Sequence, residues 1–332
     1  KARSLVQAMA KIDPTAAQEA AKLYDAPGSV EQPQGGGGAE GGKMGEKEKA
    51  KAVDDLFAKA DAATTTARAD KALEMRKSWG KLPTFFEVDV TDYGQVISSM
   101  EGCDGVIHLA ACPSAEYYTE EFVFTTNTSS MWNICRAAEQ LGIKNVLLGS
   151  SYNAIGAMGT AARWGSKEVK DPAYFPIDQH QGTRSEDPYS VAKWIGEQVG
   201  DAFARRSPEM SIGSMRFNGM WDDEKFKDLN KNPISDVWER CQGFWTYLHI
   251  KDAATACRMA VENPNWQGHE KFFLNAKDTM ITVETMQAIK SVYPNVEVRH
   301  KIDGFNSPIL IDLAKDKFGW EPKYSWRDEK FS

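Results

Sequence analysis

Residues 145–151 read NVLLGSS. The run has strand length, is apolar in its middle and closes on two serines. It is too short for a helix, and it lacks the polar alternation of a strand with one wet face. It therefore predicts a strand covered on both sides, as in a parallel sheet packed between helices. The neighbouring segments repeat the pattern. Upstream lie TFFEVDV (84–90) and GVIHLAA (105–111), with helical spacing over 93–101 and 126–141. Downstream, a helix over 188–206 leads into SIGSMRF (211–217). Then come FFLNA (272–276), VEVRH (296–300) and helices near 282–292 and 312–318. Strands alternating with helices predict an α/β fold with a doubly wound, Rossmann-type parallel sheet, whose ligand chemistry sits at the carboxyl ends of the strands.

The rest of the chain bounds the function. It has 332 residues, 42% of them hydrophobic, and a formal net charge of −7. That balance argues against nucleic acid, whose phosphates need a basic face. No apolar run is long enough to span a bilayer. Cys103, Cys112, Cys135, Cys241 and Cys257 are odd in number and have no C-x-x-C spacing. They read as buried apolar residues in a reducing compartment (cytoplasm, or an organelle stroma or matrix), and no metal site is expected. The chain starts at Lys1, so a targeting segment is not visible.

Residues 1–81 differ in texture from 82–332. They are rich in Ala, Lys, Glu and Gly, and they read as a helical or partly disordered extension or insertion, with helices over 2–12, 15–24, 46–61 and 66–79 and a linker over 26–43. Gly35 to Gly41 satisfy several nucleotide-loop patterns. A dinucleotide loop, however, must follow an apolar strand that aims a helix N-terminus at the pyrophosphate. YDAPGSVEQPQ, with two prolines, precedes these glycines, so a linker is the expected reading. The alternative is that the first strand and loop lie upstream of Lys1 and that residues 14–80 are an insertion.

Two stretches carry the candidate chemistry. EDPYSVAKWIGEQ (186–198) puts Tyr189 and Lys193 four apart on one helix face. A phenol titrates near 10, and a neighbouring ammonium favours phenolate, which would make Tyr189 a proton shuttle. Tyr247 and Lys251 repeat the spacing in WTYLHIK, but a strand there would hold them roughly 13 Å apart. Ser150 and Ser151 end the opening strand, where a hydroxyl can donate to a substrate oxygen or cap a turn. Asp92 is placed equally well to accept from a base or to cap a helix.

These segments occur in the order VDVTD, VIHLAA, TTNTSSMWNICRAAEQLGIKNVLLGSS, DPYSVAKWIGE, SMRFNGMW, YLHIKDAA, FFLNA and DLAKDKFGWEPKYSW. In that order the chain from about Leu82 to Asp328 resembles an extended short-chain dehydrogenase/reductase of the NAD-dependent epimerase/dehydratase family, in its uronate dehydrogenase-like branch. The resemblance implies a catalytic trio of Ser151, Tyr189 and Lys193. It also implies cofactor contacts from Asp89 and Val90 to the adenine, with Leu109, Ala110 and Ala111 lining the cofactor. Asn127 would support the site and its cofactor, and Arg216 and Phe217 would pass near the nicotinamide. Tyr189 and Lys193 would contact the cofactor as well, Lys193 through the nicotinamide ribose. The implied cofactor is NAD or NADP. Ser130 stands where relatives usually carry Gly, and RFNG lacks the proline that commonly follows the arginine.

A small substrate lobe is expected from about 219–248 and 277–332. The segment between Asn218 and His249 is short for a nucleotide-sugar enzyme, so a free sugar or sugar acid is the expected substrate. Trp221, Trp238, Phe244 and Trp245 would either stack on its ring or close the core. Two other readings stand beside this oxidoreductase: a nucleotide-sugar epimerase or dehydratase, and an inert scaffold of the same fold serving as a structural subunit. A homodimer and a place in a larger assembly both remain open.

Overall fold

The computed structural model describes residues 85–113, 118–156 and 171–331. The expected N-terminal helices, the linker and the glycine run lie outside the described residues. In chain order the elements are α1 (Tyr93–Met100), β1 (Gly105–His108), α2 (Glu120–Leu141), β2 (Asn145–Ser151), β3 (Tyr174–Phe175) and α3 (Pro188–Arg206). They continue with β4 (Ser211–Phe217), β5 (Met220–Trp221), α4 (Asp223–Lys231), β6 (Leu248–His249) and α5 (Ile250–Glu262). The last are β7 (Gly268–Leu274), α6 (Thr285–Val292), β8 (Glu297–Val298) and α7 (Asp312–Phe318).

The apolar runs that bracket NVLLGSS pair side by side. Among the described residues, β1, β2, β4 and β7 form a parallel sheet in that order, with Ser150 opposite Arg216 and Arg216 opposite Phe273. Every residue of β4 is buried, as the continuous apolar pattern requires. Successive residues of β2 serve opposite faces. Val146 and Leu148 pack with Ile212 and Phe203 against α1 and α2. Leu147 packs with Met215 and Phe272 against α5 and α7. A fully buried side chain of this size contributes roughly 1.5–3 kcal/mol, so the two faces together fix the sheet between its helices. A third apolar cluster joins Phe175 of β3 to Phe226, Trp245, Tyr247, Ile281 and Trp326, which follow β4, in a separate core.

Local chemistry sets the element ends. Asp187 accepts from the backbone N–H groups of Tyr189 and Ser190, and Pro188 follows at the first helical position, so α3 starts where the Asp-Pro pair places it. Gly142, at φ 70°, closes α2 in the left-handed conformation. Asp92 caps α1 by accepting from Gln95. Arg206 forms an ion pair with Glu139, tying the end of α3 to α2.

The expected strand at 84–90 is not a strand over its described residues. Positions 85–89 are irregular and Val90 begins a turn. Phe85 is 89% exposed, and the Asp89 carboxylate closes the loop on Thr91 through its N–H and its hydroxyl. Apolar, β-prone residues do not make a strand without a neighbour to pair with. The run at 105–111 pairs only as far as His108, and 296–300 shrinks to Glu297–Val298. β7 begins four residues earlier than its apolar pattern, at Gly268.

Candidate active site

A cavity of about 700 Å³ opens where β2 and β4 end. Ser150, Ser151, Tyr189 and Lys193 line it, with Leu109, Ala111, Phe217 and Asn218 from the strand ends and Ile250, Ala253 and Cys257 from α5. The strand ends and the first two turns of α3 bring these groups together. Tyr189 shares a side-chain hydrogen bond with Ser151. Lys193, 4% exposed, donates from Nζ to the Gly149 carbonyl and lies 5.5 Å from the centre of the Tyr189 ring. The Ser151 hydroxyl also accepts from the Asn153 N–H at 3.1 Å.

The electrostatics differ from the expectation for a Tyr–Lys pair. Burial holds the Tyr189 phenol above its ordinary value of 10; the Ser151 hydrogen bond opposes that, and the Asp187 charge adds to it. The Lys193 ammonium is bonded to the Gly149 carbonyl and lies over the Tyr189 ring. Burial brings Lys193 down to about 8, which leaves it charged at neutral pH.

The residues expected to hold a cofactor divide into two sets. Leu109, Ala111, Tyr189, Lys193 and Phe217 line the cavity; Asp89, Val90, Ala110, Asn127 and Arg216 do not. Asp89 binds Thr91, and the Val90 carbonyl accepts from Asn133. Asn127 is fully buried and clamps the backbone of Cys112, accepting its N–H at 2.8 Å and donating to its carbonyl at 3.0 Å. It shapes the loop after β1 from behind the wall. Arg216 lies under the floor, paired with Glu197. Ser130, in the place of a common glycine, bonds the His108 imidazole at 3.2 Å.

Tyr247 and Lys251 have other partners, Asp278 and Asp223. Phe244 and Trp245 are fully buried and close the core, whereas Trp221 stacks on Tyr247 at 5.8 Å and Trp238 is 56% exposed. All five cysteines are free. No cluster of possible metal ligands occurs among the described residues, and no described helix is long and apolar enough to cross a membrane.

Sequence reading missed Glu197 and Asn153. Glu197 carried a signal, since it continues the Tyr189–Lys193 spacing by one more turn. Asn153 carried none, because its Oδ1 is a buried acceptor without a partner only in three dimensions.

A parallel α/β sheet with a Ser–Tyr–Lys cluster at its carboxyl edge is the architecture of the short-chain dehydrogenase/reductases. More narrowly, the model of the NAD dependent epimerase/dehydratase family matches residues 49–221, and the chain belongs to that family. It is similar to a uronate dehydrogenase of Pseudomonas putida, 27% identical over 130 residues that cover 38% of this chain and 43% of that enzyme. The chain spans only 35% to 43% of the length of the curated relatives it matches. Among solved structures it resembles a consensus L-threonine 3-dehydrogenase, with a TM-score of 0.52, 18% identity and coverage of 78% of this chain and 92% of that one. It also resembles a UDP-glucose 4-epimerase from Bifidobacterium longum in complex with NAD+ and UDP, with a TM-score of 0.53, 15% identity and coverage of 77% and 82%. These two likenesses concern the fold.

The family's cofactor is NAD, and the residues present fit its nicotinamide riboside half. The lining includes the small residues Gly149, Ala111, Ala253 and Ala254, and the unpartnered Asn153 Oδ1 is available to a donor. The expected adenine contacts, Asp89 and Val90, are off the cavity, and a phosphate-binding loop is not among the described residues.

Proposed function

We propose that the chain is an NAD(P)-dependent oxidoreductase that interconverts a hydroxyl and a carbonyl on a sugar or sugar acid, with Tyr189 as the acid/base. The observation that carries this reading is the convergence of Ser151, Tyr189 and Lys193 at the floor of one cavity. A bound nicotinamide would supply or accept the hydride; the protein's own groups do the rest. Ser151 and Tyr189 reach the reacting oxygen from one side, so the Ser151 hydroxyl holds it while Tyr189 delivers or removes its proton. A phenol held above 10 is protonated at neutral pH but a weak acid, and little of it is phenolate. Turning the Lys193 ammonium from the Gly149 carbonyl toward the phenol and the nicotinamide ribose would lower the phenol and serve proton transfer in either direction.

Lys193 itself argues against the scaffold reading. An ammonium held out of water against a single carbonyl costs stability, which a purely structural subunit has no reason to bear. The sugar-acid substrate is supported by the similarity to a uronate dehydrogenase and by the short segment between Asn218 and His249.

Cofactor binding is the first test. Millimolar NAD(H) or NADP(H) should raise the melting temperature and quench Trp fluorescence. If neither cofactor does either, the oxidoreductase and epimerase readings both fail for this chain.

A further inference from the structure

Three consecutive residues of β2 are each held by one of three successive turns of α3. Tyr189 meets Ser151, Lys193 meets the Gly149 carbonyl, and Glu197 meets Ser150. The first two contacts belong to the proposed chemistry. The third does not touch the reacting groups, yet it is the most buried of the set: Glu197 is 1% exposed.

The Glu197 carboxylate is a junction. Its Oε1 accepts from Ser150 Oγ at 2.7 Å and from Arg216 Nε at 2.8 Å, and its Oε2 accepts from Arg216 Nη2 at 2.8 Å. Arg216 lies in β4 directly opposite Ser150, and its guanidinium rests on the Phe273 ring of β7 at 4.9 Å. Arg216 Nη1 is buried without a partner, so Glu197 is the acceptor that holds this guanidinium. One side chain of α3 thus grips β2 and β4 just beneath the cavity floor. A buried, bidentate charge pair is a demanding way to gain stability, since apolar residues of similar volume often do as well. What it does supply is a fixed angle and register between the elements it joins.

We infer that Glu197, locked by Arg216, is a positioning residue that fixes the end of β2 against α3, so that Ser151 and Gly149 stay in register with Tyr189 and Lys193. This deepens the proposed function and rests on it for its catalytic consequence. The geometric consequence stands alone: without the junction, residues 149–156 lose one of their three side-chain contacts to α3, and the one that also ties β2 to β4.

The experiment uses the full chain and two variants. Glu197→Gln removes the charge. Glu197→Leu with Arg216→Met removes the junction and leaves no buried charge behind, which keeps the protein folded where Glu197→Leu alone would strand the arginine. Hydrogen exchange read by mass spectrometry should show amides of 149–156 exchanging about tenfold faster in both variants, with α2 unchanged. With NAD and D-glucuronate or D-galacturonate as the probes, kcat should fall at least about tenfold, with KM changed less than about twofold. Wild-type protection at 149–156 in either variant overturns the inference. So does a double variant that regains wild-type kcat along with its stability, because the pair would then be structural only. If the wild-type chain turns over neither uronate, the proposed substrate fails and the exchange data alone decide the role of Glu197.

Discussion

Acid should destabilise this protein through His108, by an amount the structure allows to be worked out. His108 ends β1 at 5% exposure, with its Nε2 on the Ser130 hydroxyl. Burial, and then the nearby Lys193 ammonium, hold its imidazole at about 4, against an ordinary 6.5. Between those values the unfolded chain takes a proton that the folded chain refuses, so stability rises with pH across that window and is lost as pH falls through it. The full gap corresponds to about 3 kcal/mol, of which about 2 kcal/mol should be gone at about pH 5. Urea unfolding followed by Trp fluorescence, at about pH 7 and about pH 5, measures it. The control is His108→Gln, which keeps a donor and an acceptor for Ser130 but does not titrate. Wild type should lose about 2 kcal/mol more than His108→Gln between the two pH values, whatever the variant's absolute stability. Equal losses would refute the argument, because the imidazole would then not be held neutral behind the site.

Two further outcomes follow from the same structure. Asp201 sits between His269 and Lys271; burial pushes its carboxyl up, but the hydrogen bonds and charges of those two residues outweigh this and hold it at about 2. Its contribution is present above about 4 and disappears as pH falls toward 2. Asp201→Asn should therefore lower the melting temperature at neutral pH and approach wild-type behaviour near pH 2. At Gly149 an added Cβ would stand 2.9 Å from the His108 carbonyl oxygen and 3.3 Å from Leu109. Gly149→Ala should cost about 1–3 kcal/mol in a denaturant melt and weaken cofactor binding, because β1 and β2 must part beside the cavity.

The elements best read from sequence are those whose signals are local. β2, β4 and α3 fall where their patterns put them: two strands buried on both faces, and a helix opened by Asp-Pro. The misreadings have physical causes. TFFEVDV has strand composition, but the described residues offer it no partner, and Asp89 folds back on Thr91 instead. β7 opens on GHEK, which looks like a loop. Backbone pairing with β4 makes it a strand, and its polar side chains find Ser214 and Asp201. In the site, Tyr189 and Lys193 were legible because four residues of helix join them. The spacing put Glu197 on the same helix face, but its grip on Ser150 spans 47 positions and could not be read from it. The direction of the Lys193 ammonium was equally illegible, since it depends on a backbone carbonyl of another element.

The most direct test of the account is a comparison of wild type with Tyr189→Phe. NADH formation from NAD and a hexuronate would be followed by absorbance, and cofactor occupancy by Trp quenching. The account predicts turnover in wild type, a loss of roughly 10²–10⁴-fold in the variant, and an unchanged cofactor affinity. Turnover that survives the loss of the phenolic hydroxyl would contradict it.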